Sequence, residues 1–222
     1  ISVLEREGFK AYIVGACVRE LLMGGSPVDY DIITNADVEE IQYAFRRYRV
    51  SAAKAAIGDI FITVVGMTIL VSPYRRSIIG KRVVYADDIL VDLIRRGFTL
   101  NAIAYNPRKG LIDPFNGALS IKNDTVVVAA IGGELAERAG FSENSCFSEN
   151  PRRIFEALKY VARDNYTIEP HTKELINQNI NVLDYEDKRL IKAELSKILL
   201  GRYAAKALEE NSNVFAKLFP AF

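Results

Sequence analysis

Val14-Gly15-Ala16-Cys17-Val18-Arg19-Glu20, followed by Val28-Asp29-Tyr30-Asp31-Ile32-Ile33, is the part of the sequence whose reading decides the fold. The second stretch alternates with period two. It predicts a β-strand with Asp29 and Asp31 on one face and Val28, Tyr30 and Ile32 on the other. Two ionised carboxylates side by side repel unless a cation sits between them, and oxygen-liganded Mg²⁺ does that, which makes the pair a candidate metal site. A strand with a polar solvent face gives the same pattern without any metal. The first stretch turns from the apolar run Ala11–Val14 into a helix over Cys17–Met23, closed by Gly24–Gly25. Backbone N–H groups at such a turn suit a triphosphate, and carboxylates on the next strand suit metals bridging it, so the parts fit nucleotidyl transfer. Gly15 and Ala16 also suit simple close packing of a strand-to-helix turn.

Outward from this pair, the first 125 residues alternate between strand-like and helix-like segments, the mark of an α/β or α+β domain. Ser26–Pro27 turns the chain, and Asn35 or Asp37 offers an N-cap for a helix running to about Arg47. Asp59–Val65 and Met67–Ser72 read as a hairpin split by Gly66, Val83–Tyr85 as a weaker strand, Asp87–Arg96 as a helix, and Leu100–Tyr105 with Leu111–Ile112 as a final strand pair. The sheet is expected to hold about five strands. Past it, Pro151–Arg163, Thr172–Gln178, Asp187–Leu200 and Tyr203–Glu210 space their apolar residues three or four apart, predicting an all-helical module. Gly132–Asn150 is the expected junction. The fold class is α+β, with domains 1–125 and 126–222.

Composition narrows the function classes. The chain has 222 residues, 50% hydrophobic and 26% charged, enough for one substantial core and a smaller second one, which excludes disorder and fibrous repeats. Lys and Arg number 29 against 28 Asp and Glu, a net charge of +1, so a nucleic-acid partner has to be argued from local groups. Arg46, Arg47 and Arg49, then Arg75, Arg76, Lys81 and Arg82, are such groups, and they serve equally as solvated faces. Cys17 on its helix and Cys146 in a loop make no disulfide framework, and with the single His171 they leave too few soft ligands for zinc. His171, at a predicted helix start, reads as a surface or capping residue. The longest apolar stretch, Phe61 to Val71, is too short to cross a bilayer. A chain opening at Ile1 without a signal pattern reads as a trimmed or partial product of a cytosolic protein, expected in the cytoplasm and without a membrane partner.

Four further segments extend the opening motif. Asp92-Leu93-Ile94-Arg95-Arg96-Gly97-Phe98-Thr99-Leu100-Asn101-Ala102 carries an arginine pair, and Leu111-Ile112-Asp113-Pro114-Phe115-Asn116-Gly117 closes the first half. Phe147-Ser148-Glu149-Asn150-Pro151-Arg152-Arg153 opens a helix, and Glu194-Leu195-Ser196-Lys197-Ile198-Leu199 lies in a later one. In this order the motifs resemble the class II tRNA nucleotidyltransferases (CCA-adding enzymes) and bacterial poly(A) polymerases of the polymerase-beta-like nucleotidyltransferase superfamily, over essentially the whole chain.

The resemblance implies a nucleotidyltransferase head followed by a helical neck and partial body. It implies an enzyme that adds CMP and AMP from CTP and ATP to tRNA 3′ ends by two-metal in-line transfer. Asp29 and Asp31 would be catalytic and would bind two Mg²⁺ ions. Gly15, Ala16 and Arg19 would cradle the triphosphate, and Arg95, Arg96 and Asn101 would contact ribose or phosphate. Glu149, Asn150 and Arg153 would read the incoming base. Arg95–Arg96 also reads as a basic helix C-terminus. Asn150 also reads as a cap ahead of Pro151. The sequence departs from the family pattern in three places: Gly97 and Asn150 stand where aspartates are usual, and Leu70 falls near the acidic residue of the hairpin strand. The segment Arg75–Arg82 is shorter than the family's flexible loop, which favours addition of the two cytidines alone. The alternatives are a binding protein on the same scaffold that has lost turnover, an assembly subunit using its helical half, and a poly(A) polymerase. The oligomeric state stays open.

Overall fold

The computed structural model describes residues 1–54, 58–79, 82–121 and 127–219, apart from the side chains of 52–54, 76–79 and 82. Lys81 and the side chains of Arg76 and Arg82 lie outside the described residues. Two compact units emerge: Ile1–Arg96 with Leu100–Ala118, and Gly97–Thr99 with Leu119–Phe222.

In the first unit, helix α1 (Ser2–Arg6) precedes β1 (Ala11–Val14), α2 (Ala16–Leu22), β2 (Tyr30–Thr34) and α3 (Val38–Ala44). Of the two N-caps proposed for α3, Asp37 is the one used. Its side chain accepts from the Glu40 N–H while Glu40 reaches back to the Asp37 N–H, each at 2.8 Å, a reciprocal capping box. Asn35 instead accepts from the Lys10 N–H at 2.6 Å. Then come β3 (Arg49–Lys54), β4 (Asp59–Val64), β5 (Met67–Pro73), β6 (Arg75–Ile79), β7 (Arg82–Tyr85), α4 (Ile89–Ile94), β8 (Ala104–Asn106) and β9 (Gly110–Ile112).

The main sheet has seven strands, not five, in the order β3-β4-β5-β2-β1-β8-β9. All neighbours are antiparallel except β2 and β5. Two strands of the first unit were missed in the sequence: β3, whose Arg-Val-Ser-Ala-Ala-Lys composition carries too little apolar alternation to be read, and β6, in the segment compared above with a flexible loop. Leu100–Tyr105 shortens to β8 because Thr99–Asn101 forms a 3₁₀ turn, and Val83–Tyr85 pairs with β6 in a separate two-stranded sheet. The Gly66 hairpin is as expected: Val64 pairs with Met67 across Val65 and Gly66. Leu4, Ile32, Ile41, Phe45, Ile60, Ile62 and Val71 pack into one core, so α1 and α3 cover the Ile32 face of the sheet. Asp31, one residue along, points to the opposite face.

In the second unit, Gly97–Thr99 lies against Ala129–Ile131: Ile131 donates its N–H to the Gly97 carbonyl (2.9 Å) and Thr99 donates to Ala129 (3.0 Å). The unit continues with β10 (Val127–Val128), α5 (Glu134–Arg138), α6 (Ser145–Ser148), α7 (Arg152–Asp164), β11 (Thr167–Ile168), α8 (Pro170–Asn179), α9 (Lys188–Leu199), α10 (Ala204–Glu210) and α11 (Ser212–Leu218). The all-helical expectation needs one correction, because β10 and β11 pair in parallel. Helix α7 is the axis of this unit. Ile154, Phe155, Ala157, Leu158, Val161 and Ala162 are fully buried, and Phe98 meets both Phe147 and Tyr160 with ring centroids 6.2 Å apart. Asn165 ends α7 in the left-handed conformation.

Candidate active site

The first unit gathers most of the residues proposed from sequence around Asp31. Strand β2 begins at Tyr30, so Asp29 lies just ahead of the strand, exposed, rather than on it. The reason is local: Ser26, Pro27 and an exposed Val28 carry the chain into the sheet only after Asp29. The two carboxylates still act on each other. Burial raises the Asp31 pKa above the ordinary carboxylate range; the Arg96 guanidinium opposes this, Asp59 and Asp29 reinforce it, and Arg75 opposes it again. In register, Asp31 pairs with Leu70 on β5, so the side chain beside it there is apolar.

Two arginines beside Asp31 are held by two buried carboxylates. Arg96 places Nε at 3.2 Å and Nη2 at 2.9 Å from Asp92 Oδ1, an i,i+4 pair at the end of α4. The other Asp92 oxygen accepts from the Arg75 N–H at 3.0 Å. The Arg75 side chain is paired with Asp59, which also accepts from Ser72 Oγ at 2.5 Å and is 6% exposed. Arg95 ends α4 as its C-cap.

Gly15 is the N-cap of α2 with φ of 75°, and its N–H donates to the Ile103 carbonyl at 3.3 Å. A Cβ on Gly15 would lie 3.1 Å from Arg96 Nη1, so the glycine permits the guanidinium to approach the backbone of the turn. Ala16 opens α2. Arg19, one turn further, is 5% exposed and donates through Nη1 to Asn101 Oδ1. Gly15, Arg19, Arg96, Asn101 and Asp31 therefore belong to one neighbourhood of the first unit. Cys17 lies there too, its thiol donating to the Val14 carbonyl at 3.1 Å and pushed up in pKa by burial.

The base-reading set proposed from sequence lies in the second unit. Glu149 is the C-cap of α6, and Glu149 and Asn150 are both exposed. Asn150 is not the cap of α7; Pro151 takes that place, and the Asn150 carbonyl accepts from the Arg153 N–H at 3.1 Å. Arg153 is 6% exposed and donates from Nη1 to the Cys146 carbonyl at 2.8 Å. Cys146 is in α6 rather than in a loop. It is fully buried, its thiol donates to the Gly97 carbonyl at 3.3 Å, and burial pushes its pKa up to about 12. The Phe147 that flanks it supplies the core residue that turns this short segment into a helix. His171 is a surface residue of α8 at 2.7 Å from Glu143, while Glu169 caps the helix by accepting from the Thr172 N–H.

Residues 11–127 match the Poly A polymerase head domain family. The chain belongs to that family. A CCA-adding enzyme of Anoxybacillus flavithermus is 31% identical to it over 98% of this chain and 54% of its own length. The crystal structure of the Bacillus stearothermophilus CCA-adding enzyme in complex with CTP matches it with a TM-score of 0.78 at 29% identity, over 94% of this chain and 49% of that one. The Thermotoga maritima CCA-adding enzyme complexed with tRNA matches it with a TM-score of 0.78 at 26% identity, over 99% of this chain and 50% of that one. The chain spans about half the length of these relatives.

For a member of the Poly A polymerase head domain family, the donor set around Asp31 fits a hard cation. Among the described residues, no three Asp, Glu, His or Cys side chains group into a preformed metal cage. Mg²⁺ does not need one, since it is usually held by one or two carboxylates together with substrate phosphates. A half-buried carboxylate whose ionised form is disfavoured by burial and by two neighbouring acids gains from such an ion. Sequence reasoning missed Asp59 and Asp92. Asp92 stood inside the arginine-pair motif, and its i,i+4 spacing to Arg96 was a usable signal. Asp59 sits at a strand start behind a glycine and carried none. Among the described residues, no helix is long and apolar enough to cross a membrane.

Proposed function

We propose that the chain adds CMP from CTP, and AMP from ATP where addition runs on to CCA, to the 3′ end of tRNA. The single observation that carries the reading is Asp31, a half-buried carboxylate of raised pKa set beside Arg96 and Gly15, in a chain whose relatives are named CCA-adding enzymes. Asp29 and Asp31 are the catalytic pair and would hold two Mg²⁺ ions, which when bound neutralise phosphate charge and favour ionisation of the attacking hydroxyl. In the transfer, the tRNA 3′-oxygen forms a bond to the α-phosphorus while the α–β bridging P–O bond breaks. Pyrophosphate leaves with the electron pair of that bond, and the hydroxyl proton is lost.

The remaining residues bind and orient. Arg96, fixed by its fork on Asp92, faces the backbone at Gly15 and gives the triphosphate a preoriented cation. Ala16 lets the phosphates approach the start of α2. Arg19 and Asn101 act as one hydrogen-bonded pair toward ribose or phosphate, and Arg95, the C-cap of α4, is a further contact of the same kind. Glu149, Asn150 and Arg153 read the base: Arg153 is a fixed donor, and the Asn150 amide offers a donor as well as an acceptor. Residues 1–125 act as the head and 126–222 as neck and partial body. The short segment Arg75–Arg82 supports addition of the two cytidines alone.

The test is gel-resolved extension of tRNA transcripts that end before CCA, after C and after CC, with Mg²⁺ and CTP or ATP. The proposal predicts Mg²⁺-dependent extension, with product length fixing how many cytidines and whether adenosine is added. A folded chain that binds nucleotide and extends none of the three ends would refute it.

A further inference from the structure

We infer that Gly97 is a positioning residue for the Arg153 guanidinium, and that the absence of a side chain at 97 sets the discrimination between incoming nucleotides. The inference rests on the reading of Arg153 as a base-reading residue. It starts from the fact that Gly97 stands where the motif it resembles has an aspartate.

Three observations within the second unit argue for it. Gly97 has φ of 78°, and a Cβ built there would lie within 3.0 Å of the Nε, Cδ and Cζ atoms of Arg153, three consecutive atoms of that side chain. The arginine therefore lies along the Cα of Gly97, in the space a side chain would take. The backbone at 97 is pinned, since its carbonyl accepts from the Ile131 N–H at 2.9 Å and from the Cys146 thiol at 3.3 Å. The arginine is pinned from its other end, donating from Nη1 to the Cys146 carbonyl at 2.8 Å, on a helix whose next residues, Ile154 and Phe155, are fully buried. With both partners held, an added methyl group at 97 is relieved mainly by expelling the guanidinium from its seat. A reader displaced in this way keeps its charge but loses the fixed geometry on which discrimination by hydrogen bonding depends.

The test separates this steric effect from the backbone cost of placing any L residue at positive φ. Gly140 has φ of 79° and no heavy atom within 4 Å of its would-be Cβ, so Gly140→Ala carries the backbone cost alone. The full chain and its variants are titrated calorimetrically with CTP and with ATP in Mg²⁺, and thermal midpoints are recorded alongside. The wild-type chain is expected to prefer one of the two nucleotides, and the absence of any preference overturns the inference. That preference is expected to shrink by about tenfold in Gly97→Ala and in Arg153→Ala, and to be unchanged in Gly140→Ala. Gly97→Ala is also expected to lower the midpoint more in the wild-type background than in Arg153→Ala. That comparison holds even where Gly97→Ala alone fails to fold, because the double variant then folds better than the single one. Equal destabilisation in both backgrounds overturns the inference. So does a folded Gly97→Ala that keeps its preference while Arg153→Ala loses it. If Arg153→Ala itself keeps the preference, the base-reading assignment falls, and this inference with it.

Discussion

Asp31 carries more of the account than any other residue, and its environment makes a stability claim as well as a catalytic one. Its folded-state pKa is raised, chiefly by burial, so the protonated form favours folding. That contribution is fully present below the unfolded pKa of the side chain and is lost as pH rises through the folded value. Near neutral pH the ionised carboxylate opposes folding when no cation is bound. Asp31→Asn is therefore expected to raise the thermal midpoint of the metal-free protein at pH 7, with the gain shrinking as pH falls through the carboxylate range, while transfer drops by on the order of 10³-fold. Parallel melting curves over pH 4 to 7 check the first part; a lower midpoint for the variant at every pH would remove the electrostatic reading. Asp31 was legible because period-two alternation needs only neighbours in sequence. The pairing of Asp59 with Arg75 was not, because it joins two residues far apart in sequence, on strands of different sheets, which no local pattern encodes.

Elements read well where their ends are chemically marked. The cap at Asp37, ahead of α3, is such a mark. The strand β3 and the short pair β10–β11 carry neither a cap nor a clear alternation, and both were missed. Cys146 was placed in a loop because α6 has only four residues, fixed by the burial of Cys146 and Phe147 rather than by periodicity. The β4–β5 hairpin offers a test at this scale. Val65 and Gly66 both have positive φ, 49° and 79°, as a two-residue type I′ turn requires, yet Val65 is β-branched and fully exposed. Val65→Asn gives the turn the residue pair it favours and is expected to stabilise the protein by about 0.5–1 kcal/mol. Urea melts measure this directly, and an unchanged midpoint would mean that the valine conformation costs nothing.

At the scale of the whole molecule, the order of motifs was legible and their spatial grouping was only partly so. The near-neutral charge gave no hint of a nucleic-acid partner, and the resemblance came from five collinear segments instead. Those segments divide between two compact units, with the carboxylates, Gly15, Arg19, Arg96 and Asn101 in one and Glu149, Asn150 and Arg153 in the other. What the sequence did not reveal is that the Arg153 side chain lies in the space a side chain at position 97 would take. The central claim is that the first unit transfers nucleotides through Asp29 and Asp31. Its most direct test is incorporation of CMP from α-labelled CTP into a tRNA lacking its terminal CCA, in Mg²⁺, by the wild-type chain and by Asp29→Asn/Asp31→Asn, with folding of both checked by circular dichroism. The account predicts labelled tRNA from the wild type and on the order of 10³-fold less from the folded variant. Equal incorporation by the two proteins would contradict it.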